Sequence, residues 1–233
     1  MKELAVLVIC VLCSFSGFGQ DNSGVRKFSD TEKAIIRYRT LTQQAWEANN
    51  EKLALSYMDS VKISIVGSYV DSHTFKTMGD KKVSLESLKK PVLLITSATW
   101  CAPCIGEILA LNKVAEEYSD RVDFLVLFHD AKNEKLEKVV KQYGNAVSVV
   151  ASEKKEEDPH TLDIAGFRHI TGYPTNYSID RERRIIAYSQ GAAVARTYDN
   201  GKGETITITK ERADELNYIR LKEEVEHLIT KSY

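Results

Sequence analysis

Residues 93–104 have the sequence LLITSATWCAPC, in which an apolar run leads directly into two cysteines that are two residues apart. Residues 92–95 are β-prone and apolar throughout, a pattern typical of a strand buried on both faces of a sheet. From Cys101 onward the apolar positions recur every three or four residues, which predicts a helix. The sequence therefore predicts a central strand followed by a helix with Cys101 at its N-terminus.

The predicted helix has one packed face that contains both an acidic residue and the second cysteine. The residues that share this face are Cys104, Glu107, Ile108, Leu111, Val114, Ala115 and Tyr118. The helix N-terminus stabilises an anion, so it favours the thiolate form of Cys101, which is the form that attacks disulfides. Cys104 lies one turn later and is expected to be less accessible. We therefore expect Cys101 to attack and Cys104 to resolve.

Trp100-Cys101-Ala102-Pro103-Cys104 after an apolar strand, together with Tyr173-Pro174-Thr175, resembles the TlpA/ResA-like extracytoplasmic thiol–disulfide oxidoreductases of the thioredoxin-fold superfamily. The resemblance covers roughly residues 67–233. It implies an α/β, thioredoxin-like fold in which helices flank a central mixed sheet. It also implies a cis Tyr173–Pro174 bond, with Pro174 facing the cysteine pair.

Glu107 occupies the place where ResA-like proteins have an active-site glutamate, three residues after the second cysteine. We therefore assign Cys101, Cys104, Glu107 and Pro174 as catalytic, with a proton-transfer role for Glu107. The alternative is a glutamate that leans into water. The family often has proline where this chain has Leu109, so a straighter helix is expected here.

Three further residues are expected to bind the partner protein, namely Trp100, Tyr173 and Thr175. Classical thioredoxins have a buried aspartate six residues before the first cysteine, where this chain has Ile95, so Glu107 is the one nearby candidate for proton transfer. His129 and His169 lack partner motifs and are interpreted as surface or capping residues.

The start of the chain has the composition of a secretory signal peptide. An apolar run begins at Leu4, and Gly17 and Gly19 precede an expected cleavage site before Gln20. An uncleaved anchor or a lipidated Cys10 or Cys13 are the alternatives. The predicted organisation is a signal peptide at 1–19, a helical extension at 20–66 and a thioredoxin-like domain at 67–233.

The segments around the motif complete the predicted fold. Residues 68–85 and the late insertion at 192–210 have hairpin patterns, and residues 211–231 have the spacing of an amphipathic helix. Asp158-Pro159 resembles a helix start, which predicts a helix to about His169.

The composition is that of an ordinary globular protein, with 233 residues, 43% hydrophobic and 28% charged. A net charge of -1 gives no electrostatic reason to expect nucleic acid or an anionic membrane as partner. Removing the signal peptide leaves Cys101 and Cys104 as the remaining cysteines. Without a second C-x-x-C or H-x-x-x-H motif, a zinc site is disfavoured.

The sequence thus predicts a monomeric periplasmic or otherwise extracytoplasmic protein-disulfide reductase without stable membrane insertion. It would use no cofactor beyond its redox-active disulfide and no metal. Its partners would be cysteine-containing extracytoplasmic proteins and a membrane electron donor. The alternatives are a non-catalytic binding module on the same scaffold and a thiol peroxidase, although Ala98 replaces the threonine typical of peroxidases.

Overall fold

The computed structural model describes residues 25–153, 163–164, 166–168 and 172–232. The predicted signal peptide and His169 lie outside these residues. The helices are α1 (Glu32–Glu47), α2 (Glu51–Ile65), α3 (Ala102–Gly106), α4 (Ile108–Tyr118), α5 (Glu134–Val140) and α6 (Lys210–Ser232). The strands are β1 (Thr74–Lys76), β2 (Lys82–Ser84), β3 (Val92–Ser97), β4 (Asp123–Ala131), β5 (Val147–Ser152), β6 (Asp163–Ile164), β7 (Phe167–Arg168), β8 (Thr175–Ile179), β9 (Ile185–Gln190), β10 (Arg196–Asp199) and β11 (Thr205–Ile208).

The central sheet has five strands in the order β5-β4-β3-β8-β9. Strand β4 pairs in parallel with both β3 and β5, whereas β8 pairs in the antiparallel sense with both β3 and β9. This is the mixed sheet that the thioredoxin-like fold requires, so the predicted fold class is confirmed. The predicted central strand, β3, lies in the middle of the sheet.

Strand β3 separates the two halves of the core, and all six of its residues are buried. Leu94 faces the cluster that contains Val61 and Ile65 of α2. Leu93 and Ile95 face the opposite cluster, to which α4 and α6 contribute. A strand that is covered on both sides has apolar residues at consecutive positions, which accounts for the unbroken run in the sequence.

Both predicted hairpins outside the sheet are present. Strands β1 and β2 pair in the antiparallel sense, and so do β10 and β11 of the late insertion, which is largely exposed. The segment before β10 is attached to α6, because the Ala193 N–H donates to Asn217 Oδ1 at 2.7 Å and Asn217 Nδ2 donates to the Ala193 carbonyl at 3.0 Å. Within the described residues, no helix has the length and apolar character needed to cross a membrane.

Two local predictions are wrong. The helix expected to reach His169 is replaced, where the chain is described, by the antiparallel pair β6 and β7, with Gly166 at φ +85° in the turn. The helix expected to run on from Cys101 is interrupted at Glu107, which has φ −88° and ψ −7° between α3 and α4. The straighter helix expected from Leu109 is therefore not observed.

Phe28 ties the segment before α1 into the core below the sheet. Its ring centroid lies 5.5 Å from that of Phe167 and 5.7 Å from that of Tyr177, and its N–H donates to the Tyr69 carbonyl at 2.7 Å. The predicted helical extension thus packs on the thioredoxin-like part of the chain.

We expect Phe28→Ala to lower the free energy of unfolding by about 3 to 5 kcal/mol, because it leaves a cavity in this aromatic cluster. Urea denaturation followed by circular dichroism measures the change. Ile63→Ala is the matched control in the same part of the chain, because Ile63 is 72% exposed, and it should change stability by less than about 0.5 kcal/mol. An unchanged midpoint for Phe28→Ala would show that the extension does not stabilise the fold.

Candidate active site

The two cysteines form a disulfide at the beginning of α3. Cys101 is the N-cap residue of this helix, and its Sγ accepts a hydrogen bond from the Cys104 N–H at 3.2 Å. A backbone donor aimed at Cys101 stabilises negative charge on that sulfur once the disulfide is reduced. Cys101 is 5% exposed and Cys104 1%. Cys101 is therefore less exposed than the sequence suggested, although it remains the outer of the two.

The loop that carries Trp100 is fixed by a buried aspartate at the end of the neighbouring strand. The Thr99 N–H donates to Asp130 Oδ2 at 2.7 Å, and the Thr99 hydroxyl donates to Asp130 Oδ1. Both residues are buried. The loop between β3 and Cys101 is thus held from β4, and Asp130 is a site residue that the sequence reasoning missed.

His129 is a second residue that the sequence reasoning missed, since it was interpreted as a surface or capping residue. It is 5% exposed, and its Nδ1 lies 3.0 Å from the Tyr173 hydroxyl. The signal was present in the sequence, because β4 follows β3 in a parallel sheet and the carboxyl ends of such strands meet at one edge. Polar residues at the end of β4 were therefore placed to reach the cysteine loop.

Trp100 forms the outer wall of the site. It is 55% exposed, and its ring makes edge contacts with Tyr173 at 5.6 Å and His129 at 6.3 Å between centroids. Aromatic pairs in this arrangement are stabilising and orient the rings. The exposed face of Trp100 is thus held next to the cysteine pair rather than left free to rotate.

The Tyr173–Pro174 peptide bond is cis, as the family resemblance implied. Tyr173 belongs to the same buried cluster as Cys101 and Cys104. Thr175, expected to contact the partner, is instead fully buried: its hydroxyl donates to the Gly172 carbonyl at 3.0 Å and accepts from Gln190 Nε2 at 3.1 Å. Thr175 therefore supports the loop that carries Pro174 and does not reach the surface.

Glu107 is buried, 2% exposed, at the break between α3 and α4. Its Oε2 accepts a hydrogen bond from Arg220 Nη2 of α6 at 2.6 Å. Burial raises the pKa of Glu107 to about 8, and the Arg220 guanidinium limits that rise. The alternative of a glutamate exposed to water is therefore wrong. A carboxyl group one turn after Cys104 that gains and loses its proton near neutral pH can exchange protons with a thiol.

In the described parts of the chain, no group of three or more His, Cys, Asp and Glu side chains is arranged to hold a metal ion. The arrangement offers disulfide chemistry at Cys101 and Cys104, with the exposed ring of Trp100 beside Cys101 and the buried carboxyl group of Glu107 three residues after Cys104.

Comparison with known proteins places these features in a family context. The Redoxin family model matches residues 65–203, more than half of the chain. The thioredoxin-like protein YneN of Bacillus subtilis is 32% identical over 124 residues, which cover 52% of this chain and 68% of YneN. The thiol-disulfide oxidoreductase ResA of Bacillus anthracis is 26% identical over 132 residues, or 56% of this chain and 72% of ResA. The thiol:disulfide interchange protein DsbE of Pasteurella multocida is 27% identical over 132 residues, or 55% and 67%.

In the reduced protein, we expect a limiting amount of iodoacetamide at neutral pH to label Cys101 before Cys104. Cys101 is the outer sulfur and the one that accepts the backbone hydrogen bond at the start of α3. Peptide mass spectrometry after short labelling times measures the order. The variants Cys101→Ser and Cys104→Ser give the rate of each remaining thiol separately, and faster labelling of Cys104 would reverse the assignment of attacking and resolving thiols.

Proposed function

Because this chain belongs to the Redoxin family and has a thioredoxin-like fold, we propose that it is an extracytoplasmic thiol–disulfide oxidoreductase that reduces disulfides in partner proteins. Its resemblance to TlpA/ResA-like proteins is confirmed by the relatives YneN and ResA. The observation that carries the proposal is the Cys101–Cys104 disulfide at the start of α3, with the Cys104 N–H directed at Cys101 Sγ.

The proposed reaction starts from the reduced pair. The Cys101 thiolate attacks one sulfur of a partner disulfide, the partner S–S bond breaks, and its second sulfur leaves as a thiolate that takes a proton from water. Cys104 then loses its proton and attacks Cys101 Sγ in the mixed disulfide. The bond between Cys101 and the partner breaks, and the partner sulfur leaves as a thiolate that takes a proton from water, which completes the dithiol. Two electrons have passed to the partner, and Cys101 and Cys104 form the disulfide seen in the structure.

Glu107 accepts the proton of Cys104 in this proposal. Its ionised form takes the proton when Cys104 attacks, and its neutral form returns a proton when Cys104 is the leaving group. The two directions use the same group, as microscopic reversibility requires. A raised pKa suits this role, because both forms of Glu107 are then populated near neutral pH.

The partner docks, in this proposal, on the surface that includes Trp100. Trp100 offers a large exposed ring next to Cys101, and the Tyr173 ring that it contacts leads into the loop with the cis Pro174. An extended segment with a disulfide fits such a surface, because its backbone can align along a loop while an aromatic ring covers the reacting sulfurs. Thr175 contributes indirectly by holding this loop.

The proposed direction and location are supported by two features of the sequence. Ala102-Pro103 between the cysteines resembles reducing members of the family, so we propose reduction with a membrane-bound dithiol as electron donor. The apolar run from Leu4 favours export by a signal peptide. We further propose that the protein acts as a monomer and that the cysteine pair alone carries the electrons.

Insulin reduction tests the function. The chain from Gln20 onward, with dithiothreitol as the electron source, should reduce insulin disulfides faster than dithiothreitol alone, which is measured as the onset of turbidity. Cys101→Ser should return the rate to that background, because the attacking sulfur is lost. Cys104→Ser should instead accumulate mixed disulfides through Cys101, because the resolving sulfur is lost.

The same assay separates the alternatives. A wild-type rate equal to that of dithiothreitol alone, with intact binding of a peptide substrate, would indicate a binding module and contradict turnover. Rapid consumption of hydrogen peroxide that depends on Cys101, without insulin reduction, would indicate a thiol peroxidase.

A further inference from the structure

Glu107 is joined to the C-terminal helix by a chain of charged contacts. Arg220 Nη2 donates to Glu107 Oε2 at 2.6 Å, and Arg220 Nη1 donates to Glu224 Oε1 at 2.8 Å. Glu107 is buried, Glu224 has a side chain 16% exposed and that of Arg220 is 27% exposed. The guanidinium group of Arg220 therefore lies between the carboxyl groups of Glu107 and Glu224. Glu107 is the more deeply buried of the two and directly follows α3, the helix that contains Cys104.

The central sheet fixes the position of Glu224, and so of Arg220. Asn176 Nδ2 of β8 donates to Glu224 Oε2 at 2.7 Å, and the Ser189 hydroxyl of β9 donates to Glu224 Oε1 at 2.8 Å. Asn176 is itself buried. Two donors from neighbouring strands thus hold the carboxyl group that orients the guanidinium. These contacts restrict the positions of the Glu224 and Arg220 side chains, whereas both side chains of an isolated surface ion pair remain free to move.

We propose that Arg220 and Glu224 are positioning residues that determine the pH at which Glu107 exchanges a proton with Cys104. The inference deepens the proposed function, on which it rests, by assigning a part of the C-terminal helix to the redox step. Neither residue touches the sulfurs in this assignment, and both act through the carboxyl group of Glu107.

The two residues act on Glu107 in opposite directions. The positive charge of Arg220 favours the ionised form and lowers the pKa of Glu107, whereas the negative charge of Glu224 disfavours it and raises that pKa. Tyr143, which follows α5, is another ionisable group near Glu107, and burial raises the pKa of Tyr143 so that it stays neutral. The groups of β8 and β9 that donate to Glu224, Asn176 and Ser189, are uncharged and add no further charge near Glu107.

The proton step can be observed without a partner protein. When a thiolate of dithiothreitol attacks Cys101 Sγ, the Cys101–Cys104 bond breaks and its electron pair passes to Cys104. Protonated Glu107 can supply a proton to the departing Cys104 sulfur, whereas ionised Glu107 cannot. The rate per dithiothreitol thiolate should therefore fall as the pH rises through the pKa of Glu107, near pH 8.

The experiment follows reduction of the Cys101–Cys104 disulfide by dithiothreitol from pH 6 to pH 10, with tryptophan fluorescence in stopped flow. Arg220→Met should move the fall to higher pH by about one unit, because an attractive positive charge is lost. Glu224→Gln should move it to lower pH, because a repulsive negative charge is lost. Arg220→Lys should restore the wild-type midpoint, and Glu107→Gln should remove the fall altogether.

Matched controls come from the exposed part of the same helix. Arg212 and Glu215 pair with each other on the surface, so Arg212→Met and Glu215→Gln change the same charges without contacting Glu107. Both should leave the midpoint within about 0.2 pH units of wild type, because exposed charges are screened by solvent.

Midpoints that move in the same direction in Arg220→Met and Glu224→Gln, or that do not move, would overturn the inference. If Arg220→Met does not fold, the other two variants test the inference. A midpoint at lower pH in Glu224→Gln together with a wild-type midpoint in Arg220→Lys supports it, and any other pair of results contradicts it. This experiment uses dithiothreitol and no partner protein, so it does not depend on insulin reduction. If the midpoints shift as predicted but insulin is not reduced, the proposed function is rejected and the positioning role of Arg220 and Glu224 is not.

Discussion

The hydrogen bond from Arg220 to Glu107 joins the C-terminal helix α6 to the helices that follow the cysteine pair. A carboxyl group that is 2% exposed would be costly to bury without a partner, and Arg220 supplies one across 113 residues of sequence. Glu107 also lies at the point where α3 gives way to α4, so the last helix is attached at the break in the active-site helix. The arrangement keeps the carboxyl group of Glu107 buried three residues after Cys104, where the proposed mechanism uses it to exchange a proton.

The other side of the site depends on the order of the strands. Parallel pairing brings the carboxyl ends of β3 and β4 to the same edge of the sheet, where Asp130 holds Thr99 and His129 contacts Tyr173. Trp100 lies against these side chains and keeps its exposed face beside Cys101. The loop that leads to the cysteine pair is thus held from β4, and Tyr173 belongs to the same buried cluster as the two cysteines.

The parts of the fold that depend on local periodicity could be predicted from the sequence. The unbroken apolar run of β3 reflects burial on both faces, and the spacing of three to four after Cys101 reflects burial on one face. Both patterns can be read from residues that are close in sequence. At the break, Glu107 contacts Arg220 of α6. Phe167 of β7 packs against Phe28 and Phe75. These contacts with distant segments cannot be derived from local periodicity. Asp158-Pro159 satisfies the local rule for a helix start, yet the pairing of Phe167 with Ile164 gives strands where the helix was expected to continue.

In the candidate site, too, features that depend on local sequence could be predicted and those that depend on distant contacts could not. Burial of Glu107 could be predicted from its place on an apolar helix face. Its partner Arg220 could not, because nothing in the local sequence distinguishes Arg220 from Arg212, the other arginine of the same polar helix. Thr175 was assigned to the partner surface by its position next to Pro174, and its contact with Gly172 in the interior became evident only from the fold.

In the proposed mechanism, Glu107 carries a proton at neutral pH and loses it at the slightly alkaline pH at which the cysteine pair also reacts. Carbon-13 NMR of the side-chain carboxyl groups in glutamate-labelled oxidised protein, with Glu107→Gln to assign the signal, measures this directly. We expect a Glu107 titration midpoint of about 8. A midpoint near the ordinary value of 4.5 would show that the group is fully ionised at neutral pH and would contradict its role as a proton donor to Cys104.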